Sequence, residues 1–153
     1  MIKRFVFRLE RVLRHRATVR DLRERELADL EAAVARERAA VAALDAARDE
    51  TLGDLAELQR GSFPAAERQR YQLHLGWLAG ESDRARARVA QIEALRDAKR
   101  AELVRAAQDH RIVERLRERQ QETHRLEAGR DGQAFLDELA GGAQARARRA
   151  AAS

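Results

Sequence analysis

Apolar side chains recur at intervals of seven residues from Leu9 onward, with charged residues and alanines between them. One series of positions runs through Leu13, Arg20, Leu27, Val34, Val41, Arg48 and Leu55. A second series runs through Leu9, Arg16, Arg23, Leu30, Glu37, Leu44, Thr51 and Leu58. Two interleaved series of this period predict one long helix whose apolar stripe packs in a coiled coil. Because both series contain charged residues, the partner helix must be close by and in a fixed register.

The periodic pattern is interrupted by the segment RGSFPAAE, residues 60–67. Gly61 suits the left-handed conformation that ends many helices, and Pro64 suits the first turn of the next helix. The apolar stripe resumes after this segment, at Leu75, Leu78, Ala85, Val89, Ile92, Leu103, Ala106, Val113 and Leu116. We therefore interpret the segment as the tip of a helical hairpin.

The second helix is predicted to continue to about Leu139, before Gly141 and Gly142. Gly76 and Gly80 each weaken it by about 1 kcal/mol relative to alanine, so a local break of this helix would fall near residues 76–82. Neither narrow helix is stable alone, and each covers the apolar stripe of the other when the two pack antiparallel.

The predicted fold is therefore all-α, a long antiparallel two-helix coiled-coil hairpin with a longer second helix. Its first helix spans about residues 2–59, its tip 60–64 and its second helix about 65–140, and residues 141–153 are expected to form a disordered basic tail. The second helix is expected to project beyond about residue 125 as a partly unpaired extension. Since each helix has its partner in the same chain, we expect a monomer in isolation.

The composition supports a long helical protein. Of 153 residues, 37% are charged and only 4% aromatic, which is typical of coiled coils and leaves too few large apolar side chains for a thick core. The absence of cysteine excludes disulfides and thiolate metal sites and fits a reducing compartment. With no secretory signal and no apolar run near the roughly 18 residues of a membrane span, we expect a soluble intracellular protein.

Two segments depart from the otherwise interleaved charge pattern. The first sixteen residues contain one acid, Glu10, and six basic residues: Lys3, Arg4, Arg8, Arg11, Arg14 and Arg16. The tail contains Arg146, Arg148 and Arg149 without any acid. From the residues alone, three interpretations of the basic opening helix remain open. It binds nucleic acid, it lies on a membrane surface through Phe5, Val6 and Phe7, or it is the solvated end of a generic structural coiled coil.

The residues that enzymes use are not arranged for catalysis. The chain has no phosphate-binding loop motif, and its only lysines are Lys3 and Lys99. The four histidines are scattered without metal-ligand spacing: His15, His74, His110 and His124. A two-helix hairpin also offers no enclosed pocket that excludes water. We therefore expect no enzyme activity, no cofactor and no metal site.

Three segments together resemble the flagellar FliJ proteins: FRLERVLRHR (7–16), LVRAAQDHRIVERLRER (103–119) and FLDELA (135–140). The resemblance implies a cytoplasmic coiled coil of the flagellar type III export apparatus, similar to the stalk of rotary ATPases and peripherally associated with the inner membrane. It implies three partners, namely the centre of the hexameric export ATPase ring, the cytoplasmic domain of the export gate, and export chaperones. It implies no binding of nucleic acid and no insertion into the membrane. A basic end suits an acidic ring lumen, and Arg4, Arg8, Arg11 and Arg14 are the residues expected there.

The resemblance also assigns the gate contact to surface residues on both helices near the tip. The positions that match are Leu52, Leu55 and Gln59 on the first helix, with Arg48 in the remaining place, and Tyr71, Leu75 and Leu78 on the second. The sequence departs from the family pattern in lacking an aromatic residue on the first helix and in having Ser82 where a histidine is expected. Leu55, Leu75 and Leu78 also belong to the apolar stripe, so two interpretations remain: an exposed patch, or burial between the helices.

Overall fold

A computed structural model gives the structure of residues 4–152, which form two α-helices. Helix α1 spans Glu10–Leu58, and helix α2 spans Ala65–Ala151. The predicted all-α hairpin with a longer second helix is confirmed. In the described part of the chain, no helix has a stretch long and apolar enough to cross a membrane.

Helix α1 begins later than the predicted start near residue 2, a position that lies outside the described residues. Residues 4–9 are not helical, and the first turn forms where the Glu10 amide donates to the Phe7 carbonyl oxygen at 3.3 Å. Helix N-termini carry partial positive charge, which disfavours Arg4 and Arg8 in a first turn and favours Glu10. Phe7 is instead buried, with 6% of its surface exposed.

The tip is formed by tight turns and not by a left-handed glycine. The amide of Gly61 donates to the Leu58 carbonyl oxygen at 3.2 Å, and the amide of Glu67 donates to the Pro64 carbonyl oxygen at 3.1 Å. No glycine among the described residues has a positive φ, so the expectation for Gly61 was wrong. The i→i+3 hydrogen bond satisfies the last carbonyl of α1 without that conformation.

The basic tail differs from the expected disorder, because α2 continues through Gly141 and Gly142 to Ala151. Alanine and arginine, which dominate this segment, are strong helix formers, and two glycines cost only about 1 kcal/mol each. Arg146 also donates a hydrogen bond from Nε to the Gly142 carbonyl oxygen at 3.2 Å. The helix is likewise unbroken at Gly76 and Gly80.

The chain divides into two compact units, one of Val19–Ala106 and one of Met1–Thr18 with Ala107–Ser153. Within each unit α1 and α2 run antiparallel, as their ion pairs show. In the unit Val19–Ala106, Glu37 pairs with Arg88 and Glu26 with Lys99. The second pair lies eleven residues before the first on α1 and eleven residues after it on α2, as expected for antiparallel helices. Further pairs in this unit are Arg23–Glu102, Glu31–Arg100, Arg38–Glu93 and Asp45–Arg86. In the other unit the pairs are Arg16–Asp109 and Glu10–Arg117.

The seam, meaning the interface between α1 and α2 within a unit, is thin and contains small residues. Its buried apolar side chains are Val34, Leu78, Ala85 and Ala106 in one unit and Phe7 and Leu13 in the other. Most other members of the predicted apolar stripe are half-buried, whereas Leu9, Arg16, Arg48 and Leu116 are exposed. The predicted stripe is therefore the seam over most of its length.

The buried polar groups of the seam have hydrogen-bond partners. The Ser82 hydroxyl donates to Asp45 at 3.0 Å, and Arg86 donates to the other oxygen of the same carboxylate at 2.7 Å. Thr51 donates to the carbonyl oxygen of Ala47 at 2.8 Å. A satisfied buried polar pair favours a single alignment of two helices, because any shift leaves a buried group without its partner.

Candidate interaction surfaces

The N-terminal basic surface consists of the exposed residues Arg4, Arg8, Arg11 and Arg14. Burial of Phe7 and Leu13 anchors the segment, and the four arginines between and beside these anchors are exposed. Arg16 and Arg117, in the same unit, each pair with a carboxylate on the facing helix. None of the four basic-surface side chains forms an ion pair with residues 4–152, so their positive charge is not compensated within the described chain.

In the same unit, α2 continues as an extension that no other helix of residues 4–152 covers. Residues 129–152 are all exposed, as expected for the part of α2 beyond about residue 125. Phe135, Leu136 and Leu139 are large apolar side chains with at least half of their surface exposed. Exposed apolar side chains grouped on one short segment are typical of protein-interaction sites.

The side chains near the tip fall into exposed, half-buried and buried groups. Leu52 and Gln59 are exposed, as is Arg48, whereas Leu55, Tyr71 and Leu75 are half-buried. Leu78 is 3% exposed and lies in the seam, so the interpretation of this residue as part of a surface patch was wrong. Its seven-residue spacing from Tyr71 and Ala85 places it on the buried face of α2.

Two exposed apolar residues near the tip lie outside the positions that the sequence assigned to a partner. Leu73 is 68% exposed and Trp77 55% exposed, and the Trp77 ring stacks on His74 with centroids 6.0 Å apart. Neither residue belongs to the apolar stripe of α2 that contains Leu75 and Leu78, so both occupy positions expected to face solvent. Their apolar character at such positions is the sequence signal for this surface.

A family model described as "Flagellar FliJ protein" matches residues 5–149, which is nearly the whole chain. The chain belongs to the FliJ family. No curated protein and no solved structure matches it. Membership of the FliJ family makes the chain a component of flagellar protein export, in a family of non-enzymatic export proteins. The resemblance that the three sequence segments indicated is confirmed.

This FliJ chain also contains a charged cluster that bridges α1 and α2 at the edge of the seam, formed by Arg23, Glu26, Lys99 and Glu102. The Lys99 ammonium lies 2.9 Å from a carboxylate oxygen of Glu26 and 2.9 Å from one of Glu102. Arg23 contacts the same two carboxylates, at 2.9 and 3.5 Å. Two cations and two carboxylates thus neutralise one another across the helices, which adds to the specification of the register.

The cluster shifts the pKa of each member in the direction that favours its charged form. Hydrogen bonds from Lys99 and then Arg23 hold the pKa of Glu26 below its ordinary value of 4.5. The hydrogen bond from Lys99 lowers the pKa of Glu102 in the same way. Hydrogen bonds to Glu102 and Glu26 raise the pKa of Lys99, and the hydrogen bond to Glu26 raises that of Arg23.

The pKa shifts predict an acid-dependent contribution of this cluster to stability. Because the folded-state pKa values of Glu26 and Glu102 are lowered, their contribution is present above pH 4.5 and is lost as the pH falls through the folded values. The double variant Glu26→Gln and Glu102→Gln is expected to melt at most a few degrees below wild type at pH 7. Thermal melts followed by circular dichroism are expected to converge well below pH 4.5.

The matched control for the cluster is Glu24→Gln with Glu50→Gln, since both residues are exposed and form no ion pair among residues 4–152. This control is expected to melt like wild type at both pH values. A difference between the cluster variant and wild type that persists unchanged in acid would contradict the assignment of the effect to these carboxylates.

Proposed function

We propose that this FliJ-family chain is a non-enzymatic coiled-coil stalk of the flagellar type III export apparatus. Its N-terminal basic surface binds the centre of the hexameric export ATPase ring, and residues near its tip bind the cytoplasmic domain of the export gate. It also escorts export chaperones. It works as a monomer in the cytoplasm, peripherally associated with the inner-membrane apparatus, without binding nucleic acid or inserting into the membrane.

The observation that carries this proposal is the uncompensated charge of the N-terminal basic surface. Along the seam, arginines of both helices pair with carboxylates of the facing helix, for example Arg16 of α1 with Asp109 and Arg88 of α2 with Glu37. Arg4, Arg8, Arg11 and Arg14 are exposed and have no such carboxylate within residues 4–152. Unpaired charge of one sign attracts a partner of the opposite sign and increases the rate of encounter.

Arginine suits a contact with a ring that changes state during its cycle. Each guanidinium offers five N–H donors in a planar fork, so it can form hydrogen bonds with carboxylates in several arrangements. Because the four side chains are exposed, each contact is worth about 1 kcal/mol or less, and several such contacts can break and re-form as the ring changes. A few deeply buried contacts would instead stabilise a single conformation of the ring and oppose its change of state.

The proposed gate contact is centred on the exposed Leu52 and Gln59, with the half-buried Leu55, Tyr71 and Leu75 at its border. Leu52 is 42% exposed, enough to contribute apolar area to an interface without leaving the seam open. Leu78, as a buried residue, supports this surface from within and does not contact a partner. The gate surface therefore centres on α1.

The proposal is tested by titrating the purified hexameric export ATPase with the full-length chain. We expect stimulated ATP hydrolysis and a complex that weakens as salt is added, because exposed charges are screened over about 8 Å at physiological ionic strength. Duplex DNA added at the same salt concentration is expected not to compete. Tight binding to DNA together with no effect on the ATPase would overturn the proposal in favour of nucleic-acid binding.

The gate contact is tested with Leu52→Asp, which is expected to weaken binding to the purified gate domain about tenfold with little loss of helicity. A carboxylate at this position loses apolar contact area, and burying it against the gate carries a desolvation penalty. The matched control is Leu95→Asp, because Leu95 is 59% exposed in the same unit and lies outside the proposed contact. Equal gate affinity of the two variants, measured by calorimetry, would exclude Leu52 from the interface.

A further inference from the structure

A notch of about 510 Å³ lies within the unit that contains the N-terminal segment, between the residues preceding α1 and one side of α2. Arg4, Phe5 and Val6 line it from the N-terminal segment, and Arg119 and His124 are among its lining residues on α2. The Phe5 and His124 rings are tilted by 58° with centroids 5.6 Å apart. The ring contact packs the non-helical segment against α2.

The lining of the notch carries an excess of positive charge. Arg4 and Arg119 are both exposed, and neither forms an ion pair with residues 4–152. Glu127 is the one acidic residue among the lining residues. Two unpaired guanidinium groups at one concave site attract an anion, and each can form two parallel hydrogen bonds with a carboxylate.

Apolar surface lies next to these charges. Val6 is 76% exposed, and Phe5 is only half-buried beneath His124. A chain of phosphates would find no partner for this apolar surface. A peptide segment with a carboxylate beside an apolar side chain matches both parts of the lining.

We infer that the notch is a docking site for an acidic segment of a partner protein. One carboxylate of that segment lies between Arg4 and Arg119, and a neighbouring apolar side chain packs on Phe5 and Val6. The identity of the partner, the export ATPase, rests on the function proposed above. The chemistry of the site does not depend on that identity.

The site is tested first with a synthetic peptide and the histidine signals of the full-length chain. The probe is the capped peptide Leu-Asp-Glu-Leu, titrated at constant pH while the four imidazoles are followed by NMR. We expect the His124 signals to shift and saturate, and those of His15, His74 and His110 to stay unchanged. The amide peptide Leu-Asn-Gln-Leu is expected to leave His124 unshifted at the same concentrations.

The double variant Arg4→Lys and Arg119→Lys separates docking from general charge attraction. Lysine keeps the positive charge but lacks the planar guanidinium group that forms two hydrogen bonds with one carboxylate. If the peptide carboxylate binds between these two side chains, the variant is expected to bind the peptide at least fivefold more weakly. The control double variant is Arg25→Lys and Arg36→Lys, exposed arginines of the other unit that form no ion pair among residues 4–152. It is expected to bind the peptide as wild type does.

Several outcomes would overturn the notch as a peptide site. One is the absence of any change in the His124 NMR signals on addition of the peptide, and another is an equal shift of all four histidines. The others are wild-type peptide affinity in the lysine variant, and a larger His124 shift with single-stranded DNA than with the peptide.

Binding and stimulation of the ATPase are measured separately. If the lysine variant binds and stimulates the ATPase like wild type, the assignment of the notch to the ATPase is wrong and the proposed function stands. If the peptide shifts His124 but the ATPase does not bind, the notch stands and the proposed function fails.

Discussion

Changing Arg8, Arg11 and Arg14 together to glutamate is expected to abolish stimulation of the export ATPase while the hairpin remains folded. Each side chain is exposed and forms no ion pair with residues 4–152, and surface substitutions of this kind shift stability by about 0.5 kcal/mol. If the basic surface enters the acidic ring lumen as proposed, attraction becomes repulsion, and two unit charges 4 Å apart interact by about 4 kcal/mol near a protein surface. Hydrolysis rates and circular dichroism measure the two effects.

The control for the triple reversal is the variant with Arg25, Arg36 and Arg105 changed to glutamate. These arginines are exposed and form no ion pair among residues 4–152, and they belong to the other unit. The control changes the net charge equally and is expected to retain most of the stimulation. Equal loss in both variants would indicate that only net charge matters. Full stimulation by the Arg8, Arg11 and Arg14 variant would show that the basic surface is ordinary solvated surface.

Leu78→Asp is expected to produce the largest loss of stability of any single change near the tip. Leu78 is 3% exposed, and replacing a buried leucine by alanine alone typically costs 2–5 kcal/mol. Aspartate adds the cost of burying a carboxylate without a partner. We expect a melting temperature lower by more than 10 °C, measured by circular dichroism, and partial loss of helicity at room temperature.

The paired control is Leu73→Asp, on the same helix but 68% exposed. It is expected to melt within a few degrees of wild type. If Leu78→Asp instead kept the stability of wild type and lost only gate binding, Leu78 would belong to an exposed patch and its burial in the seam would be incorrect.

The helices were predictable because period and composition act over many residues. The two seven-residue series of α1 and the apolar stripe of α2 indicate which side of each helix is buried, and Pro64 marks the connection. The C-terminal end of α2 differs from the expectation because the helix propensity of the surrounding residues outweighs the two glycines. Gly141 and Gly142 were interpreted as a stop, yet the alanines and arginines around them sustain α2 to Ala151.

The alignment of α1 with α2 and the exposure of the residues near the tip were harder to predict from the sequence. A leucine at a seam position and a leucine beside it have the same side chain, so Leu78 and Leu52 were assigned to one surface although one is buried and the other exposed. The interleaved charges do not by themselves reveal their partners, and many pair between the helices, as Lys99 does with Glu26. Such pairs depend on alignment, which one helix does not encode alone.

The antiparallel pairing also restricts how a protein of this family can change length. Glu37 faces Arg88 and Glu26 faces Lys99, so within the unit Val19–Ala106 these pairs lie at matching distances along α1 and α2. A deletion of one heptad in α1 between Glu26 and Glu37 keeps Glu37 with Arg88 but moves Glu26 out of line with Lys99 and Arg23 out of line with Glu102. Removing the matching heptad from α2 restores them. Viable length variants are therefore expected to arise as compensated pairs of insertions or deletions, whereas the unpaired end of α2 can vary in length by single residues.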